Sequence, residues 1–70
     1  MFPQKLRDSR IEKGDNQKDV ANYLGITINA YRKYEYGERE PSFAFLIKLC
    51  EYFNVSADYL LGLSDIKERR

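Results

Sequence analysis

The stretch NQKDVANYLGITINAYRKYE, residues 16–35, contains two short helical patterns separated by a glycine. Asn16 is a favoured N-cap residue and Asp19, three positions later, completes a capping box, so a helix is predicted over residues 17–24. Its inward stripe consists of Val20, Ala21 and Leu24. Gly25 then ends the helix in a left-handed conformation that is open to glycine. The stretch therefore predicts a helix, a tight turn and a second helix.

The second helix of this pair is predicted over residues 27–36, with Thr27 as its N-cap. Its inward stripe consists of Ala30, Tyr31 and Tyr34, whereas Tyr36 is expected to be exposed. Its outward side consists of Thr27, Ile28, Asn29, Arg32 and Lys33. A short helix that only covered a core would not need such a mixture on its outer side. That side is therefore a candidate binding surface.

Three further helices are predicted, over residues 3–13, 43–53 and 57–61, and the fold class is therefore all-α. The apolar residues of the first are Leu6 and Ile11, with Phe2 at its edge, and Ser9 occupies a position where a core residue is expected. The helix over 43–53 follows Ser42 as N-cap. Its inward face consists of Leu46, Leu49, Cys50 and Phe53, joined one turn earlier by Phe43. Ser56 caps the last helix, with Leu60 inward, and Leu63 and Ile66 could support one more turn in an otherwise frayed tail.

The composition excludes several classes of protein. Seventy residues make one domain, and 12 basic against 11 acidic residues give a net charge of +1. Any basic binding surface must therefore come from local arrangement.

The single Cys50 and the absence of histidine rule out an internal disulfide and the usual zinc sites, so neither a metal nor a cofactor is expected. No apolar run reaches the roughly 18 residues of a membrane span and no secretory signal is visible, so a cytoplasmic location is expected.

Spaced residues along most of the chain resemble a known family. They are Gln17, Ala21, Leu24 to Ile26, Tyr34, Glu35, Gly37, Arg39 to Ser42, Val55, Ser56 and Asp58 to Gly62. This pattern resembles the helix-turn-helix domain of the phage repressor and Cro type, the XRE-like bacterial transcriptional regulators, over residues 6–62. Ser9 and Asp15 depart from it, because the family usually has apolar residues there, and both changes thin the packing of the first helix.

The resemblance implies a compact five-helix repressor-like DNA-binding domain over residues 1–62, followed by a charged tail over 63–70. It implies a double-stranded DNA partner, with the helix at 27–36 in the major groove of a palindromic operator, and the action of a repressor that binds as a homodimer. The implied base-reading positions are Thr27, Ile28, Asn29, Arg32 and Lys33. The implied phosphate-contacting positions are Asn16, Gln17, Lys18 and Arg39. Arg10 and Glu35 match a structural ion pair between the first helix and the third.

The chemistry of these side chains supports the same roles. Asn29 can make paired hydrogen bonds to adenine N6 and N7, and Arg32 can do so to guanine O6 and N7. Ile28 offers only apolar contact, for which the thymine methyl group is the available partner. Lys33, like Lys18 and Arg39, is better suited to phosphate.

Each of these residues also has a purely structural interpretation. Ile28 could pack against Tyr31 or Tyr23, Asn29 could satisfy local backbone groups, and Arg32 and Lys33 could be solvated charges. For the whole chain, the alternative is a protein-interaction module, an antitoxin or adaptor on the same scaffold, which the near-neutral charge leaves open. An enzyme is not expected, because the usual general base, histidine, is missing.

Dimer contacts are expected near the last two helices. Phe45 falls outside the predicted inward face and should be partly exposed, with Ala57 and Tyr59 exposed nearby. These three residues are the candidates for a homodimer interface, and no small-molecule ligand is expected.

Overall fold

The computed structural model describes residues 2–68, which fold into five α-helices without a strand in that range. The helices are α1 (Phe2–Lys13), α2 (Gln17–Leu24), α3 (Ile28–Glu35), α4 (Phe43–Phe53) and α5 (Ala57–Leu60). The predicted all-α, five-helix fold is confirmed, and the boundaries differ from the expected ones by at most one residue. Met1 of the predicted domain, and Arg69 and Arg70 of the predicted tail, lie outside the described residues.

Four of the five helices begin at a predicted polar cap. The side chains of Asn16, Thr27, Ser42 and Ser56 each accept a hydrogen bond from the backbone N–H three residues later. At Asn16 the capping box is complete, because the Asn16 N–H also donates to Asp19 Oδ2 at 3.0 Å. These caps satisfy N–H groups that have no partner within the helix, and they explain why each helix starts where it does.

The turn between α2 and α3 depends on Gly25. This residue has a φ of +71°, in the left-handed region that side chains with a Cβ rarely adopt. The conformation lets the Ile26 N–H donate to the carbonyl oxygen of Ala21 at 3.1 Å. Because the chain reverses within three residues, α3 begins directly beside the end of α2.

The core receives one fully buried side chain from each helix. These side chains are Leu6, Val20, Tyr31, Leu49 and Leu60. Tyr31 is the largest of them, and its predicted inward position is confirmed. Because every helix contributes to the same core, the position of α3 is fixed by the whole domain and not by α2 alone.

Two apolar residues named in the sequence analysis point to solvent. Ile11 is 55% exposed, and Phe43 is 87% exposed, so the prediction that Phe43 joins the inward face of its helix is wrong. On α1 the buried row is Leu6 and Ser9, and Ile11 lies five residues from Leu6, which turns it to another side of the helix. On α4 the extra core contact comes from Phe45, whose ring stacks on Tyr34 with the centroids 4.4 Å apart.

Tyr59 does not have the exposure expected of an interface residue. It is 5% exposed, because α5 packs against α1 and places this ring in the core. The ammonium groups of Lys5 and Lys67 lie 4.6 Å and 5.7 Å from the centroid of the ring. Its assignment as an exposed dimer contact is therefore wrong.

The segment after α5 returns to the start of that helix instead of forming another helical turn. Residues 61–68 form turns and bends. Within them, the Lys67 carbonyl oxygen accepts from the Ser56 N–H at 2.7 Å, and the Ile66 carbonyl oxygen accepts from Ser56 Oγ at 3.0 Å. Lys67 also pairs with Glu12 of α1. The prediction of a frayed or helical tail is therefore wrong for the part that the structure describes.

Candidate nucleic-acid interface

The outward side of α3 carries two rows of side chains. Asn29 and Lys33, one turn apart, are exposed, and Thr27 is exposed at the N-terminus of the helix. Ile28 and Arg32, also one turn apart, are half-buried. All five base-reading candidates thus remain at the surface. The Asn29 side chain in particular projects away from the core.

Arg32 is tied to the start of α2. Its Nε donates to Gln17 Oε1 at 2.9 Å, so the side chain runs along the surface from α3 towards the first residue of α2. The structure therefore brings a base-reading candidate and a phosphate-contacting candidate together. The family resemblance implies a place at the interface for both residues, but nothing in the sequence indicates that they bind each other.

Glu35 is the centre of a buried polar network. Its side chain is 1% exposed, and its oxygens accept from Arg10 Nε at 2.6 Å and Arg10 Nη2 at 3.2 Å. The Tyr31 hydroxyl donates to the Glu35 carboxylate at 2.6 Å, and Gln17 Nε2 donates to it at 3.2 Å. The ion pair implied by the family resemblance is thus present, and it also joins two residues that the resemblance did not assign to it.

The network fixes the charges of its members. Burial by itself would raise the pKa of Glu35, but hydrogen bonds from Arg10, Tyr31 and Gln17 outweigh burial and lower it below its usual value of 4.5. The hydrogen bond to Glu35 raises the pKa of Arg10. Burial, followed by the hydrogen bond to Glu35, raises the pKa of Tyr31. Glu35 is therefore charged and Tyr31 neutral at neutral pH.

Arg10 extends this network to the loop before α2. Its Nη1 donates to the carbonyl oxygen of Asp15 at 3.1 Å. Since Asp15 directly precedes the N-cap of α2, one guanidinium group connects the end of α1, the start of α2 and the end of α3. The geometry of the helix-turn-helix is therefore fixed by polar contacts as well as by its apolar core.

A surface groove of about 460 Å³ lies beside the start of α2. It is lined by Arg7, Arg10, Asn16, Gln17, Glu35 and Tyr36. Backbone N–H groups at a helix N-terminus together with arginine side chains form a favourable environment for an anion such as phosphate. Arg7 was not predicted for this site. The signal available in the sequence was its spacing, because it lies three residues before Arg10 and so on the same side of α1.

Three cations of this region, Lys18, Lys33 and Arg39, have no ion-pair partner among the described residues. Within residues 2–68, no carboxylate lies within 4.0 Å of the side-chain nitrogens of Lys18, Lys33 or Arg39. The Arg39 guanidinium lies 6.0 Å from the Tyr34 ring centroid. The other ion pairs, Lys5 with Asp65 and Lys67 with Glu12, join α1 to the segment after α5. These three side chains of α2, α3 and the following loop therefore remain available to an anion, although the net charge of the chain is only +1.

The predicted dimer contacts are only partly exposed. Ala57 is exposed, Tyr59 is buried, and Phe45 is half-buried against Tyr34. Exposed apolar side chains on this side of the molecule include Phe43 and Ile47, the latter 58% exposed. A groove of about 410 Å³ between α4, α5 and the last described residues is lined in part by Leu46, Ile47, Ala57 and Ile66.

Two further features concern residues 2–68. None of the helices is long and apolar enough to cross a membrane. No cluster of three or more potential metal ligands occurs within residues 2–68, and Cys50 is buried.

The fold and the surface together define the class of protein. A pair of short helices joined by a tight glycine turn, the second with polar residues on its outer side, is a helix-turn-helix. Residues 6–60 match the model of the Helix-turn-helix family, and the chain belongs to this family. The resemblance on which the sequence interpretation rests is confirmed.

The similar proteins are named as regulators of transcription. The chain is 44% identical to the SPbeta prophage-derived uncharacterized transcriptional regulator YonR of Bacillus subtilis. The match extends over 61 residues, which are 87% of this chain. It is 37% identical over 65 residues to the CTXphi transcriptional repressor RstR of Vibrio cholerae, which covers 93% of it. A crystal structure of a transcriptional regulator from Listeria innocua superposes with a TM-score of 0.82 at 31% identity over 89% of this chain.

The chain spans about half the length of these relatives. The matches cover 56% of the Bacillus regulator, 59% of the Vibrio repressor and 58% of the Listeria chain. The chain is thus similar to the helix-turn-helix part of transcriptional regulators.

Proposed function

We propose that this domain binds double-stranded DNA in a sequence-specific manner and represses transcription, with α3 in the major groove. The observation that carries the proposal is the exposed polar side of α3 on a helix-turn-helix whose orientation is fixed by the Glu35 network. Membership of the helix-turn-helix family and the names of the relatives support it. A cytoplasmic, non-enzymatic protein without a small-molecule ligand is part of the same proposal.

The residues of α3 take different roles in base recognition. Asn29, exposed on the outer row, bonds adenine through its amide. Arg32, on the inner row, bonds guanine. Ile28 contacts a thymine methyl group with the part of its side chain that is not buried. The Thr27 hydroxyl accepts from the Ala30 N–H at 3.1 Å and keeps its own proton for a base or a phosphate.

A second set of residues fixes the domain on the DNA backbone. Gln17 and Lys18 supply side chains and free N–H groups at the start of α2, and the Asn16 amide nitrogen lies next to them. Arg39 approaches the backbone from the loop after α3. Arg7 adds a phosphate contact, because it lines the same groove as Gln17.

Two copies of the domain bind a palindromic operator. Half-sites would be read about 34–36 Å apart, one helical turn of DNA. The surface of Phe43, Ile47 and Ala57 supports contact between copies, since it holds exposed apolar side chains beside the groove between α4 and α5. Phe45 contributes through the part of its ring that Tyr34 does not cover.

Selection of bound sequences from random duplexes tests the proposal. We expect the selected sites to share a palindromic consensus. Lys33→Ala should weaken binding to all sequences by a similar factor and reduce the salt slope by about 1. Lys48→Ala is a matched control, since it removes the same charge from an exposed position on α4.

Two outcomes would contradict the proposal. The first is the absence of any enriched sequence, which would favour the protein-interaction alternative. The second is an equal loss of affinity in Lys33→Ala and Lys48→Ala, which would mean that only net charge attracts the DNA.

A further inference from the structure

The hydrogen bond between Arg32 and Gln17 restricts how Arg32 can approach a base. The N–H donors of a guanidinium group lie on Nε and on the two terminal nitrogens, Nη1 and Nη2. An arginine can grip guanine O6 and N7 with both terminal nitrogens, or with Nε and one terminal nitrogen. In this structure Nε donates to Gln17 Oε1 at 2.9 Å. The terminal edge of the group is therefore the one left to face a base.

The orientation of Gln17 is itself determined by the network behind it. Gln17 Nε2 donates to Glu35 Oε1 at 3.2 Å, so the amide nitrogen faces the carboxylate. If the amide were reversed, its oxygen would face the carboxylate and its N–H groups would face the guanidinium. Glu35 is in turn held by Arg10 and Tyr31. The amide oxygen is thus directed at Arg32 by a chain of contacts that begins on α1.

We propose that Gln17 is a positioning residue for Arg32, and that Arg32 reads one guanine of the operator through its terminal nitrogens alone. This inference rests on the proposed function, since it concerns how that surface selects its sequence. Gln17 then has two tasks, a phosphate contact through its remaining amide N–H and the orientation of Arg32. The Arg10–Glu35 pair stabilises the fold and also maintains this orientation.

The two tasks of Gln17 make different predictions for a variant. If Gln17 only contacted phosphate, Gln17→Ala would weaken binding to every sequence by the same factor. If it orients Arg32, the same variant also loses preference for guanine at the base pair that Arg32 reads. The discrimination by a single bidentate contact corresponds to an affinity about 5- to 150-fold higher for the correct base than for a wrong one.

The experiment is a double-mutant cycle on duplex DNA. Two duplexes serve as probes. One is the duplex obtained by selection with the unmodified chain, and in the other the guanine that Arg32 reads is replaced. Four forms are compared: the unmodified chain, Gln17→Ala, Arg32→Ala and the double variant. We expect each single variant to lose most of the preference for guanine, and the double variant to lose no more than Arg32→Ala. Lys18→Ala, the neighbouring phosphate candidate, is the matched control and should keep the preference.

A second measurement follows the contact without DNA. The Arg32 Nε–H should give a slowly exchanging NMR signal in the unmodified chain and in Lys18→Ala, and lose this protection in Gln17→Ala. Gln17→Met, which keeps the length of the side chain without its amide, should lose the protection as well. This result would attribute the loss to the missing hydrogen bond and not to a loosened start of α2 in Gln17→Ala.

The outcomes separate this inference from the proposed function. Unchanged preference for guanine in Gln17→Ala and Gln17→Met, with uniformly weaker binding, would overturn the positioning role and leave DNA recognition intact. Failure of the unmodified chain to select any sequence would overturn the proposed function itself, and the positioning role with it.

Discussion

Replacement of Glu35 by glutamine should destabilise the domain far more than replacement of Glu12 by glutamine. Both carboxylates pair with a cation at an N–O distance of 2.6 Å. They differ in exposure, since the side chains of Arg10 and Glu35 are 13% and 1% exposed, whereas those of Lys67 and Glu12 are 47% and 63% exposed. The comparison therefore separates the effect of burial from that of distance.

The magnitude follows from what Glu35→Gln leaves behind. The glutamine keeps the shape of the side chain but removes the charge that neutralises the Arg10 guanidinium. Removing one partner of a buried ion pair costs about 3–5 kcal/mol. A domain of this length has a total stability of roughly 3.5–10 kcal/mol, so the variant would lose a large part of it. Glu12→Gln removes one partner of a surface pair whose two side chains are both about half exposed, so it should show no measurable change.

The assay is urea unfolding at neutral pH followed by far-UV circular dichroism, with the free energy of unfolding extrapolated to water. If Glu35→Gln is unfolded without denaturant, its stability is obtained from refolding with an osmolyte such as trimethylamine N-oxide. A loss in Glu35→Gln as small as that in Glu12→Gln would refute the reasoning, since it would mean that the buried charge of Arg10 needs no partner.

The pH dependence of the same pair supplies a second check. The pKa of Glu35 is lower in the folded protein than its ordinary value of 4.5. Its contribution to stability is therefore fully present above that value and is lost as the pH falls through the folded-state pKa. The difference in stability between the unmodified chain and Glu35→Gln should narrow over this acidic range. A difference that stays constant below pH 4.5 would contradict the assignment.

Three further predictions concern other parts of the domain. Ser9→Ala should raise the free energy of unfolding by about 1 kcal/mol, because the buried Ser9 Oγ has no hydrogen-bond partner; a lower urea midpoint would contradict this. Gly25→Ala should destabilise by about 1–2 kcal/mol in the same assay through backbone strain alone, since no atom lies within 4 Å of the added Cβ. The hydrogen bond to Asp15 raises the pKa of Tyr52 to about 12, so Asp15→Asn should lower the pKa of this phenol in an ultraviolet titration, and an unchanged titration would exclude the contact.

Several errors of the sequence interpretation have a common cause. Phe43 and Tyr59 were assigned to the wrong environment although the helices that carry them were predicted correctly. Helical periodicity shows which residues share a side of a helix, but a short helix with apolar residues on several sides does not reveal which side meets its neighbours. In α4, Phe43 and Phe45 are both large and apolar, and only the position of Tyr34 on α3 determines which of them packs inward.

The sequence by itself determined the five helices, their caps, the turn at Gly25 and the set of residues on the outward side of α3. These features are local, since each depends on contacts between residues at most four or five positions apart. Only the tertiary structure decided that Gln17 binds both Glu35 and Arg32, and that Arg7 lines the groove at the start of α2. Those contacts join residues 15 and 18 positions apart or on different helices, and their geometry exists only once the common core has fixed the helices against each other.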